Sequence, residues 1–466
     1  MKIQYLKRPL VLLLAATLFA SGAHARSAPG TLRAAAARID ITPPPSKENP
    51  PLNAYAHEKL YLRAIVVDNG QSRAALIGVD LGGVDEAVWA DASKRIAARL
   101  NAPIENIIIS STHTHSDTAA SETPAPGTAR YGSAFVADVA LKAVTEAMAK
   151  LEPARVGYST GESHLNVNRD AISPVTKRWT QAANLGASSD KTVAVVSFVK
   201  PDGKPIAAYV SYAMHPVSGY LAGFVSGDFA AATSRHVEQA FDDSMVTVFV
   251  QGASGNQNPR WLRTGTNAMA SRSGAPITGY EMVREDIEAP IRNKTVPFKS
   301  PNPKFAHQLG DYMQAQGVIL GEEVIRVMSQ TQHMTGNPDI WGAQSTLTCP
   351  GRRRLDSGRE GMPGQYEDGP AVDIRLGVLG IGDFAITTGN AEIYDTIGQR
   401  VKKESPMSRT MFVTLANGRS NSGYIADDES YGHQTFQVLG TRLKPGCAEA
   451  GIAGGVAKLV GAYMAR

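Results

Sequence analysis

Ile107-Ile108-Ile109-Ser110-Ser111-Thr112-His113-Thr114-His115-Ser116 is the stretch on which the reading of this chain turns. Three isoleucines in a row make a short, fully apolar strand. The strand runs directly into two histidines spaced two apart. Period-two geometry sends both imidazoles to one face, where such a pair can share a metal or supply one ligand and one acid–base group.

Working outward, residues 60–68 and 73–79 read as strands split by the turn Asn69-Gly70, which makes a hairpin. Before them, Ala37-Arg38-Ile39-Asp40-Ile41 reads as a short strand stopped by Pro43-Pro44-Pro45. Residues 85–100 have helical periodicity and stop at Asn101 and Pro103. Beyond the histidines, 131–151 is a second long helix. Residues 193–199 and 205–213 flank Pro201-Asp202-Gly203-Lys204 as another hairpin, 229–242 is helical, and 246–250 is a buried strand followed by a polar loop over 251–259. Residues 260–302 show no periodicity. Then come a helix at 304–328, a hairpin of 372–379 and 384–388, a helix at 391–403, a strand at 410–415 and a closing helix at 448–464. With neither an internal repeat nor a linker, this predicts one α/β unit of mixed β-sheets flanked by helices. Apolar strands repeatedly end in clusters of His, Asn, Glu or Tyr, and ligands of α/β folds bind beyond the carboxyl ends of strands.

The 466 residues are 43% hydrophobic and 19% charged, a globular balance that excludes disorder and a disulfide miniprotein. Lys2, Lys7 and Arg8, the apolar run 9–19 and Ala23-His24-Ala25 form a secretory leader cleaved after Ala25. Residues 1–25 are therefore read as a signal peptide and 26–466 as a single catalytic domain, periplasmic or secreted, without a transmembrane anchor. Removing the leader lowers the formal charge from +4 to +1, so electrostatics offer no case for nucleic acid. The basic run Arg352-Arg353-Arg354 with Arg359 reads as a solvated loop, with anion binding as its alternative. Cys349 and Cys447 can pair in an oxidising compartment, tying a loop to the start of the last helix.

His215 ends another strand, Glu392 follows the apolar run 384–388, and Tyr424 lies in a glycine-rich loop. Singly, each has a bland explanation: a hydrogen-bonded core histidine, a carboxylate at a helix start, a loop tyrosine. Together with the histidine pair they resemble the catalytic domain of the neutral (non-lysosomal) ceramidases. The resemblance runs from about residue 37 onward. It is carried by Asp40-Ile41-Thr42-Pro43-Pro44, Thr112-His113-Thr114-His115-Ser116, Asn166-Val167-Asn168-Arg169, His215 with Ser226-Gly227-Asp228, Glu392 with Gly398, and Tyr424-Ile425-Ala426-Asp427-Asp428-Glu429-Ser430-Tyr431.

That resemblance implies one zinc ion per chain, held by His113, His215, Glu392 and Tyr424. It implies hydrolysis by zinc-activated water of an amide in an N-acyl, lipid-like substrate, with ceramide, cleaved to sphingoid base and fatty acid, as one candidate. Transient contact with a membrane surface fits such a substrate. His115 would be the acid–base group, and Arg169 and Tyr424 would stabilise the oxyanion. Asp80 would orient a ligand histidine.

Three departures stand out. The family's catalytic serine aligns with Asn258 in Gly255-Asn256-Gln257-Asn258-Pro259, and an amide cannot serve as an alkoxide nucleophile. A family tyrosine aligns with Phe436. The chain also ends where ceramidases continue into an immunoglobulin-like domain. Two alternatives therefore stay open: an esterase or amidase on a non-sphingolipid substrate, and a non-catalytic zinc-containing binding protein. An amidohydrolase barrel would need eight βα repeats, and a nucleophile elbow at Ser254 would need glycine at 256, where Asn256 stands.

Overall fold

Asn69-Gly70 turns the chain as its residue types require. Gly70 sits at φ +81°, and the Asn69 side-chain oxygen accepts the amides of Gln71 and Ser72. In the computed structural model, which describes residues 30–43, 59–117, 133–219, 225–262, 303–356 and 360–466 together with 272 and 358, this turn joins two strands of a five-stranded sheet. β1 (Arg33–Asp40), β2 (Tyr61–Asp68) and β3 (Arg73–Val79) are antiparallel. α1 (Glu86–Leu100) ends on left-handed Asn101 and returns the chain to β4 (Ile107–Ser111), parallel to β3. α2 (Ser133–Met148) and β5 (Glu152–Pro153) follow, giving the order β4-β3-β2-β1-β5. The leader, the first residues of the 131–151 helix and most of 260–302 lie outside the described residues.

β6 (Arg155–Glu162), β7 (Asn166–Ile172), β8 (Trp179–Asn184), β9 (Thr192–Val199), β10 (Pro205–Tyr212), α3 (Asp228–Ala240), β11 (Val246–Gln251) and β12 (Gln257–Pro259) come next. They form a second sheet, β11-β10-β9-β6, and a small one, β12-β7-β8. After α4 (Pro303–Ser329), β13 (Ile340–Arg354), β14 (Tyr366–Ile381), β15 (Phe384–Gly389), β16 (Glu392–Ile393), α5 (Asp395–Glu404), β17 (Thr410–Val413), β18 (Tyr424–Ile425), α6 (Phe436–Gly440) and α7 (Ala448–Met464) build the sheet β13-β14-β15-β17 and the parallel pair β16-β18.

The three larger sheets share one core, to which Ile65, Leu76 and Ile108 come from the first, Phe198, Tyr209 and Val248 from the second, and Leu379, Phe384 and Val413 from the third. Helices cover the outer faces. α1 and α2 lie on the first through Val88, Ile96 and Val144. α3 and α4 lie on the second through Phe229, Val237, Leu320 and Val324. α5 and α7 lie on the third through Ile397, Val401, Ile452 and Val456. Each large side chain buried this way contributes roughly 1.5–3 kcal/mol. Mixed sheets flanked by helices are the architecture the sequence leads one to expect.

Three expectations need correction. Arg352-Arg353-Arg354 is not a loop but the end of β13. The opposing strand begins Tyr366-Glu367-Asp368, so Arg353 pairs with Glu367 across the ladder. Arg352 stacks on Tyr366 and Tyr431 at 4.0 and 4.8 Å, and Arg354 meets Asp356. Partners within the fold thus engage Arg352, Arg353 and Arg354, while Arg359 lies outside the described residues. The helix expected over 391–403 starts only at Asp395, because Glu392 and Ile393 pair with Tyr424 and Ile425 instead. A disulfide joins Cys349 to Cys447, so it ties strand β13, rather than a loop, to the residue preceding α7. Among the described residues no helix is long and apolar enough to cross a membrane.

Candidate active site

β3 and β4, β10 and β11, and β15 and β17 are parallel pairs, and the segments leaving β4, β10, β11 and β15 converge. His113 lies two residues past β4 at φ +63°, a strained position for a non-glycine residue. Its amide is held by the Leu81 carbonyl, and its Nδ1 lies 2.6 Å from the Gly82 carbonyl. His113 and His115 do come together, with ring centroids 4.8 Å apart. The left-handed turn at His113, not the pleat of a strand, brings them there. His215 follows β10, fully buried, and both its amide and its Nδ1 point at the Gln257 carbonyl, at 3.0 and 3.1 Å. The ring centroids of His113 and His215 are 4.9 Å apart. Glu392 and Tyr424 sit opposite each other in the β16–β18 ladder.

A carbonyl can only accept, so Nδ1 of His113 and Nδ1 of His215 each carry the proton, and each Nε2 presents a lone pair. Those lone pairs face the same carboxylate oxygen, Glu392 Oε2, at 3.2 Å from His113 and 3.3 Å from His215. Burial pushes His215 down to about 3, with the Arg169 guanidinium adding to the effect, so the ring is neutral. Three electron-rich atoms thus meet with no proton between them, which is the signature of a cation site. Zinc bonds of about 2.0–2.1 Å to nitrogen span tetrahedral edges of about 3.3 Å, in line with these separations. His115 completes a cluster of three imidazoles whose ligand atoms lie within 4.8 Å of one another. Its Nε2 is 3.3 Å from that of His113, and its side chain is exposed.

Arg169, on β7, is buried beside this group. It donates to the Asn258 side-chain oxygen at 3.1 Å and to the Gly255 carbonyl at 2.6 Å. Gly255 in turn donates its amide to Ile393, next to Glu392. The Arg169 guanidinium lies 5.6 Å from the Tyr424 ring and 5.0 Å from the Phe436 ring. Its Nε is buried without a partner. The Tyr424 hydroxyl lies close to Glu392 and Arg169. Burial, then the negative charge of Glu392, raises its pKa and keeps it a protonated donor.

His113, His115, Arg169, His215, Asn258, Glu392 and Tyr424 are therefore brought together. Asp80 is not among the groups that orient the histidines. Its carboxylate accepts from Arg63 at 3.0 Å and from the Tyr61 amide at 2.8 Å, while backbone carbonyls hold the imidazoles. Sequence reasoning missed Asp117, which accepts the Gly82 amide at 2.8 Å and so fixes the Leu81–Gly82 peptide, whose Leu81 carbonyl accepts the His113 amide, next to the Gly82 carbonyl that meets Nδ1. It also missed Asp170, bonded to Tyr394 and Gln437. Asp117 stands beside the histidines in the sequence, but its partner lies on another loop, so no local signal reveals the role.

A sequence profile of the neutral/alkaline non-lysosomal ceramidase N-terminal region matches residues 53–275. Over these residues the chain is similar to that ceramidase family. It is 25% identical over 225 residues to the neutral ceramidase of Pseudomonas aeruginosa, a match covering 44% of this chain and 32% of that protein. The match thus spans about a third of the length of this curated relative. Two solved structures share the fold of this chain. One is described as a ceramidase complexed with C2 (TM-score 0.69, 17% identity, 94% of this chain and 76% of that one). The other is the neutral ceramidase from Pseudomonas aeruginosa (TM-score 0.64, 18% identity, 95% and 75%).

Proposed function

We propose that this chain is a zinc-dependent hydrolase that cleaves the amide of an N-acyl, lipid-like substrate, the class to which the ceramides of its relatives' names belong. The observation that carries the reading is the meeting of His113, His215 and Glu392 as three proton-free donors. These residues, with Tyr424 alongside, would hold one zinc ion per chain. When bound, zinc supplies a Lewis acid that polarises a carbonyl and makes water acidic.

The remaining work falls to the chain's own side chains. The Tyr424 hydroxyl and the Arg169 guanidinium donate to the substrate carbonyl oxygen as it gains negative charge. Arg169 is fixed for this by Asn258 and Gly255. His115 accepts the proton of the attacking water and passes it to the leaving amine. Asn258 supports Arg169 and contributes no nucleophile. The leader read at 1–25 would direct the protein to the periplasm or outside the cell, where its substrate meets a lipid surface, and 26–466 would act as one catalytic domain.

The test is hydrolysis of N-acyl amides by the zinc-loaded protein, followed by amine release. Cleavage abolished by His215→Ala and by chelation supports the reading. Full activity after both would overturn it, and stoichiometric zinc without turnover of any acyl amide or ester would favour a binding protein.

A further inference from the structure

Arg419 stands at the rim of this site, and the proposed reaction leaves it unused. Its loop, between β17 and β18, is held stiffly. Leu415, Asn417 and Gly418 lie in the left-handed region at φ +51°, +61° and +91°. At φ +91° Gly418 holds a backbone conformation that other residues adopt only under strain. Asn417 is laced to β4, donating its amide to the Ile109 carbonyl at 2.7 Å and accepting the Ile109 amide on its side chain at 3.0 Å. Ser420 donates its amide to the Asn390 carbonyl and its hydroxyl to the Asp373 carbonyl, both at 2.7 Å. Arg419 lies between these anchors. Backbone strain of this kind persists where surrounding structure enforces it, and it gathers at ligand clamps.

The Arg419 side chain is 54% exposed, and the carboxylate oxygen it approaches among the described residues, Glu392 Oε1, is 4.0 Å away, beyond hydrogen-bond reach. Other arginines nearby are committed: Arg375 to Glu86, and Arg169 to Asn258 and Gly255. Glu392 itself is engaged by His113 and His215. The Arg419 fork is therefore held beside the reacting centre with its donors available to whatever enters. A guanidinium fork matches a carboxylate with two parallel hydrogen bonds. Groups suited to a neutral diol are scarce by comparison. Asn258 spends its oxygen on Arg169, and Phe436 presents an apolar ring.

We propose that Arg419 determines specificity by binding a carboxylate on the amine side of the scissile amide, so that the preferred substrates are N-acyl amino acids rather than neutral amides. The acyl chain is apolar and has no charge to offer, which places the anion on the amine side. The inference rests on the proposed amide hydrolysis. It is tested with N-dodecanoylglycine and its neutral isostere N-dodecanoylglycinamide. Binding is read by calorimetry on the zinc-loaded full chain in a His115→Ala background, and cleavage is read on the unsubstituted protein. The acylglycine is expected to bind at least about tenfold more tightly than the glycinamide. Arg419→Gln should shrink that ratio to below about threefold, and Arg419→Lys should leave an intermediate ratio. A ratio near one, or a tenfold ratio that survives Arg419→Gln, would overturn the proposal. Cleavage of both amides without a binding gap removes the carboxylate recognition and leaves the hydrolase standing, whereas a gap without cleavage does the reverse.

Discussion

His215 and Glu392 lie 3.3 Å apart, ring nitrogen to carboxylate oxygen, and a neutral ring whose Nδ1 proton goes to the Gln257 carbonyl has only a lone pair to turn toward that oxygen. The Gln257 carbonyl holds the opposite ring nitrogen, so the tautomer is set by the backbone. The same logic at His113, held by Gly82, makes the pair a matched arrangement in which two carbonyls aim two lone pairs at one carboxylate.

The roles of the histidines separate by substitution. His113→Ala, His215→Ala and Glu392→Ala are each expected to abolish tight zinc binding. His115→Ala, at the exposed ring, should keep the metal and lose roughly 10²–10⁴ in kcat, the usual range for an acid–base group. Metal content after desalting, set against amine release, checks both. Loss of zinc from His115→Ala would make that ring a ligand instead.

Asp117 acts on His113 through a peptide. It accepts the Gly82 amide at 2.8 Å, fixing the Leu81–Gly82 peptide whose Leu81 carbonyl accepts the His113 amide, and the adjoining Gly82 carbonyl meets Nδ1. Asp117→Ala should weaken zinc affinity by about 10–100-fold, the usual effect of losing an orienting partner, as measured by competition with a chelating dye. Gly82→Ala should act in the same direction, because its Cβ would sit 3.3 Å from the Thr114 carbonyl. Unchanged affinity in both would separate this loop from the metal.

Arg169 donates through a fork that lysine cannot reproduce. Arg169→Lys should lower kcat by about 10²–10³ while leaving zinc content intact, as expected for removal of an oxyanion donor. Steady-state kinetics that show only a raised KM would place Arg169 in substrate binding alone.

Asp170 gives a pH signature. Burial raises its carboxyl from 3.8 to about 6. Between about pH 4 and pH 6 the folded chain therefore keeps a proton that the unfolded chain has released, and this contribution to stability is lost as pH rises through that window. Its size is on the order of 3 kcal/mol. Asp170→Asn can still accept from Gln437 and can donate to the Tyr394 oxygen, so it should gain stability relative to the unsubstituted chain from pH 4 to pH 7. Urea unfolding at the two pH values measures this. A pH-independent difference would mean that Asp170 is ionised throughout.

Much of the fold was legible because its signals are local. The isoleucine run 107–109 is β4, and the apolar periodicities of 85–100 and 448–464 are α1 and α7, to within a residue. The rest depended on partners distant in the chain. Arg352–354 is a strand only because Glu367 and Asp368 stand opposite. Glu392 and Tyr424 become strand residues only by pairing with each other. In the site, the side chains that the fold brings together were readable by type and position. The carbonyls of Gly82 and Gln257 that orient them were not, since every residue has a carbonyl and only the folded backbone aims it.

The most direct test is metal analysis of the purified protein, unsubstituted and as His215→Ala and Glu392→Ala, with folding confirmed by circular dichroism. The account predicts one zinc ion per chain in the first and none in the folded variants. Zinc retained at full stoichiometry in both variants, or full amidase activity in a protein free of divalent metal, would contradict it.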